Sequence, residues 1–145
     1  MRKIFSPASL VLVAAVFSVS PSFALSDAEY TEMYRTSPYF KAADDELTQT
    51  WKQTTQELSP KDKKSLLQEQ RQWLRSERDE EAHALMRQGI RKDCAYAKAI
   101  KSRIASLRYA AYYATLSPAD KASGNIKADS FFDDDSELPQ ECMRK

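Results

Sequence analysis

Residues 94–111 read CAYAKAIKSRIASLRYAA, and the spacing within this stretch decides the fold class. Cys94, Ala97, Ile100, Ile104, Leu107 and Ala111 recur at steps of three and four, which places them on one face of an α-helix. The stretch holds no glycine or proline and is rich in Ala, Lys and Arg, all strong helix formers. The same period appears upstream. Leu66, Leu67, Gln70, Trp73 and Leu74 share one helical face, and Leu47, Trp51 and Leu58 share another. Three amphipathic helices joined by short links predict an all-α protein, a small antiparallel bundle of three main helices.

The borders of these helices are well marked. Ser26 with Glu29 has the spacing of a capping box, which opens a short N-terminal helix over Asp27–Arg35. Ser37-Pro38, Ser59-Pro60 and Ser117-Pro118 each put a capping hydroxyl ahead of a proline at the first helical position. The expected helices run from Pro38 to about Leu58, from Pro60 to Gln88 and from Arg91 to about Leu116, with a brief helical turn after Pro118. Gly89 is the expected stop of the third. From residue 124 to residue 145 the chain turns acidic and reads as an irregular tail, with Asp133-Asp134-Asp135 and Glu137.

The first 24 residues belong to another category. Arg2 and Lys3 precede an apolar run over Ala8–Val19, and Ser22-Phe23-Ala24 supplies the small residues of a signal-peptidase site. A spanning helix needs about 20 apolar residues, so the run is too short for one. Residues 1–24 are therefore read as a signal peptide, and the product as a periplasmic or secreted protein. Removing them leaves 121 residues with 20 basic and 21 acidic side chains. That balance argues against nucleic acid as a partner, and no membrane association is expected after cleavage. Cys94 and Cys142 both remain, and in an oxidising compartment an even pair predicts a disulfide stapling the tail to the domain.

No reaction is written in the mature part. His83 is the single histidine, with no second histidine or thiol nearby to build a metal site, so no metal and no cofactor are expected. Arg78 continues the stripe of Leu67 and Leu74, which calls for a carboxylate partner such as Glu46 or Asp45. Glu77 and Glu81 stand four residues apart and read as a solvated face shared with Arg75 and Arg78. Tyr109 and Tyr113, with Tyr96 and Tyr112, form the best aromatic candidate for a protein contact. The acids Asp133 to Glu137 could steer a basic partner.

One set of residues resembles a known family. Asp45-Glu46-Leu47, Gln70-x-x-Trp73-Leu74, Arg78-Asp79, and then Cys94 followed by Arg103 and Leu107 resemble the small exported LprI-type domain. In that pattern an Asp-x-Leu stretch opens a helix, and a cysteine follows the Arg-Asp pair where this chain has Ala82. The resemblance implies a helical domain over residues 25–123 whose motif residues Leu47, Gln70, Trp73, Leu74, Arg78, Asp79, Arg103 and Leu107 are structural. It also implies a protein partner, a lysozyme among the relatives, bound without catalysis. An envelope adaptor or immunity protein with another protein partner is the alternative.

Overall fold

Serine hydroxyls open the helices, as the sequence predicts. Ser37 Oγ accepts from the Phe40 amide at 3.2 Å, Ser59 Oγ from Asp62 at 3.2 Å and Ser117 Oγ from Asp120 at 3.1 Å. At Ser26 the cap is reciprocal: its hydroxyl accepts from the Glu29 amide, and its own amide donates to the Glu29 carboxylate at 3.0 Å. Each such cap contributes about 1 kcal/mol by satisfying amides that have no partner inside the helix. In the computed structural model, which describes residues 24–124, 126–132 and 138–144, these caps start helices α1 (Asp27–Thr36), α2 (Pro38–Glu57), α3 (Pro60–Gln72) and α6 (Pro118–Ser123). The protein is all-α, with no strand among the described residues.

The expected third helix is continuous in path but not in winding. After α3 the backbone passes through a π-helical turn, Trp73–Glu77, and resumes as α4, Arg78–Arg87. A π turn widens the coil and re-aims the residues beyond it. Leu66 points inward before it, Trp73 at its start, and Asp79 and Ala82 after it. Leu67 and Leu74, assigned to the inner face above, are 37% and 44% exposed. Each follows an inward residue by one position, or about 100° of rotation, which carries it past a narrow seam. Arg78, expected on the same stripe, does turn inward: its side chain is 14% exposed and meets Asp79.

Helix α4 ends where the glycine predicts. Gly89 adopts φ +89°, its amide donates to Met86 O at 3.1 Å, and the Ile90 amide donates to Leu85 O at 3.3 Å. These are the paired bonds of a Schellman cap, which needs a left-handed residue at this position.

Helix α5 (Lys92–Thr115) is the centre of the molecule. Helix α2 packs on one side of it and α4 on another, while α1 lies on α2. A single stripe cannot serve two neighbours. Besides Cys94, Ala97, Ile100, Ile104 and Leu107, the structure therefore buries Ala95, Tyr96, Ala99 and Arg103 of α5. Ala111 is only half-buried. The inward row of α2 is Phe40, Ala43, Leu47, Thr50 and Thr54, with Trp51 on its flank. Leu47 thus lies in the middle of a helix rather than near its start.

The C-terminal segment is more structured than its composition suggests. Helix α7 (Asp129–Phe132) packs on α5, and a 3-10 turn spans Gln140–Cys142. Cys94 and Cys142 are joined by a disulfide, with their Cα atoms 5.7 Å apart. Beside it the Arg91 amide donates to Cys142 O and the Arg144 amide to Gly89 O, both at 2.7 Å. Two sequence readings, the signal peptide apart from Ala24 and the acidic run 133–137, lie outside the described residues.

Candidate functional site

The motif residues converge, and what they build is an interior. Leu47, Trp73 and Leu107 are buried in the apolar core. Gln70 on α3 meets Arg103 on α5, whose Nε donates to Gln70 Oε1 at 2.7 Å. Asp79 on α4 accepts from the buried Tyr96 hydroxyl at 2.9 Å and from Arg78 at 3.4 Å. The Arg78 guanidinium also lies over the Tyr96 ring, 5.8 Å from its centroid. Burial, then the hydrogen bond to Asp79, pushes the Tyr96 phenol well above its ordinary range. These buried polar pairs tie α3 and α4 to α5 at defined registers. Leu74 is the exception, since it is exposed.

Arg78 finds its carboxylate next door in Asp79 rather than on α2. The acids expected to meet it are engaged elsewhere. Glu46 accepts from Arg108 at 2.7 Å, and Asp45 accepts from Lys41 at 2.6 Å and from the Tyr34 hydroxyl. The neighbouring Tyr30 hydroxyl donates to Asp44. Glu77 and Glu81 do not form the open acidic face read from their spacing. Glu77 is exposed and accepts from Gln72 Nε2 at 3.0 Å. Glu81 leans onto α5, where Ser102 Oγ donates to it at 2.7 Å, and burial holds its carboxyl above the usual range. The difference follows from the π turn, which ends between the two. His83 is half-buried beside Arg75, Glu80 and Arg87.

The tyrosines gather into a surface. Tyr109 stands 6.1 Å from Tyr113, 6.0 Å from Phe131 and 5.9 Å from Phe132, and the Tyr112 ring lies tilted 5.1 Å from Phe131. Lys121 of α6 caps the Tyr113 ring at 4.8 Å. Phe132 is 52% exposed and Tyr113 39%, so the ridge presents aromatic area to water. The sequence reading missed Phe131 and Phe132. Two adjacent phenylalanines in an acidic, otherwise polar tail were the available signal.

Between this ridge and α3 lies a cleft of about 510 Å3. Leu58, Leu66, Tyr109, Tyr113 and Phe132 give it apolar walls, and Arg103 lines it from α5. Asp62, Glu69 and Lys121 add charge to the lining. Among the described residues no group of three His, Cys, Asp or Glu side chains could hold a metal ion.

Fold and surface together define a small all-α protein, cross-linked between its central helix and its C-terminus, with an exposed aromatic ridge beside an amphipathic cleft. Its residues 26–123 match the family model described as "Lysozyme inhibitor LprI". The chain belongs to the LprI family. No curated protein and no solved structure matches it.

Proposed function

We propose that this protein is an exported inhibitor-type binding protein that acts on a lysozyme by contact rather than by catalysis. The observation that carries the reading is membership of the lysozyme-inhibitor family over residues 26–123. The localisation rests on the signal-peptide pattern of residues 1–24, and no helix among the described residues is long and apolar enough to cross a membrane. Residues 25–123 form the domain, with α2, α4 and α5 arranged as an antiparallel bundle, and residues 124–145 are its tied tail.

The aromatic ridge is the contact face in this reading. Tyr113 and Phe132 supply exposed aromatic area of the kind that dominates protein interfaces. The acids Asp133-Asp134-Asp135 and Glu137 follow Phe132 in the chain and suit a basic glycosidase. Glu77 is an additional exposed acid, whereas Glu81 has become part of the α4–α5 packing.

Calorimetric titration of the oxidised protein into a c-type lysozyme, with a lysis assay beside it, tests this directly. Micromolar or tighter binding with loss of lysis is expected, and Tyr113→Ala with Phe132→Ala should weaken binding at least tenfold without lowering thermal stability much. Unchanged lysis by the unaltered protein rejects the inhibitor reading. A toxin gene beside this one, with binding to its product, would favour the immunity-protein alternative.

A further inference from the structure

Among the described residues, Arg103 carries a buried side-chain nitrogen with no hydrogen-bond partner. It is only 9% exposed, yet no carboxylate pairs with it among the described residues. Its Nε is taken by Gln70, and its Nη2 is shielded from solvent with no hydrogen-bond partner. Buried polar atoms are nearly always paired, and an unpaired guanidinium nitrogen costs more than a neutral donor does. Glu69 and Glu77 stand near enough to favour its charge, and neither bonds to that nitrogen. This side chain lines the 510 Å3 cleft beside the aromatic ridge.

The cleft has the character of a small-molecule site. Its volume lies within the usual range of about 300–1,000 Å3, and its lining sets an aromatic and aliphatic wall against a small group of charged side chains. We propose that it binds a small monocarboxylate with an apolar or aromatic body. The carboxylate accepts from the free side of the Arg103 guanidinium, and the body lies against Leu58, Leu66, Tyr109, Tyr113 and Phe132.

Three features select this class. A planar guanidinium fork with Nε already occupied leaves its terminal nitrogens for a planar, two-oxygen acceptor. Arg103 and Lys121 are balanced in the lining by Asp62 and Glu69, so a second negative charge on the ligand would meet repulsion. A dianionic phosphate is disfavoured for that reason. Nη2 is also shielded from solvent, so an acceptor reaches it only where the side chains over it part, and a small carboxylate on a slender chain requires the least opening. The site shares Tyr109, Tyr113 and Phe132 with the ridge, so its ligand is tested in the absence of lysozyme and is read at Arg103, which lies outside the proposed contact face.

Titration of the full chain with octanoate, octanol and octyl phosphate, followed by calorimetry and by the Arg103 Nε–H resonance in NMR spectra, tests the assignment. One saturable octanoate site is expected, with octanol and octyl phosphate at least tenfold weaker and a clear shift of the Arg103 resonance. Arg103→Met should abolish octanoate selectivity, and Arg103→Lys should keep part of it. If Arg103→Met fails to fold, the wild-type resonance still decides. Equal affinity for octanoate and octanol, tighter binding of octyl phosphate, no saturable octanoate binding, or binding that leaves the Arg103 resonance unmoved would each overturn the proposal.

Discussion

Gln70 and Arg103 are 33 residues apart in sequence and 2.7 Å apart in space, the amide oxygen of one receiving Nε–H of the other across the α3–α5 contact. Helix α3 buries little else, with Leu66 its single buried side chain. The amide therefore does two things at once: it partly satisfies a buried cation and it sets where α3 sits along α5.

Gln70→Ala should accordingly be more harmful than a surface change. It leaves Arg103 Nε without its acceptor, at a cost of about 1–3 kcal/mol. Urea unfolding measures the loss, and a change below about 0.5 kcal/mol, the usual scale of a surface substitution, would mean that the bond is not what holds α3.

Tyr96→Phe removes the hydroxyl that donates to Asp79 at 2.9 Å in a buried setting. The expected destabilisation is about 1–3 kcal/mol, because the carboxylate keeps its burial and loses a donor. A double-mutant cycle with Asp79→Asn should show strong coupling. Additive effects would show that the two side chains act separately.

Reduction of Cys94–Cys142, or replacement of both by alanine, opens a connection with a sequence separation of 48. The chain-entropy model places the loss at about 4 kcal/mol. The pairing of Ile90 with Met143 should go with it, since nothing else covalent holds that strand-like contact. Limited proteolysis of the reduced protein should then cut after residue 132 before it cuts α5, and simultaneous cleavage of both would contradict this order.

Acid should loosen the corner where α1 and α2 meet the start of α5. Hydrogen bonding from Lys92 lowers the Glu29 carboxyl from 4.5 to about 2. At Asp93 burial acts upward, but hydrogen bonds from Arg91 and Ser37 outweigh it and leave the group below its ordinary 3.8. Both folded values are depressed. Their stabilisation is thus complete above the unfolded values and is lost as pH falls through the folded ones. Hydrogen exchange should show α1 amides losing protection between about pH 4.5 and pH 2, before those of α5. Asp93→Asn should flatten part of that dependence, and an unchanged acid limb would remove Asp93 from the account.

Local chemistry was readable from the chain with little loss. A serine cap, a proline at the first helical position or a glycine stop acts within one turn, so Ser37, Ser59, Ser117 and Gly89 could be placed before any contact was known. The candidate site was less legible. Tyr109 and Tyr113 stood out as a pair, but Phe131 and Phe132 join them only because α7 folds back onto α5. Glu77 and Glu81 have the spacing of one helical face and end in different surroundings.

Periodicity and end signals were enough to define an all-α chain and most of its helix borders, because both depend on neighbours a few positions away. Which faces turn inward was settled by packing. A π turn at Trp73–Glu77 re-aims α4 so that Asp79 and Ala82 turn inward. Two neighbours on α5 bury Ala95, Tyr96, Ala99 and Arg103 beyond the expected stripe. The partners of Arg78 and Arg103 follow from that geometry. Burial and charge pairing are properties of the space between helices, and that space exists only once residues dozens of positions apart have met.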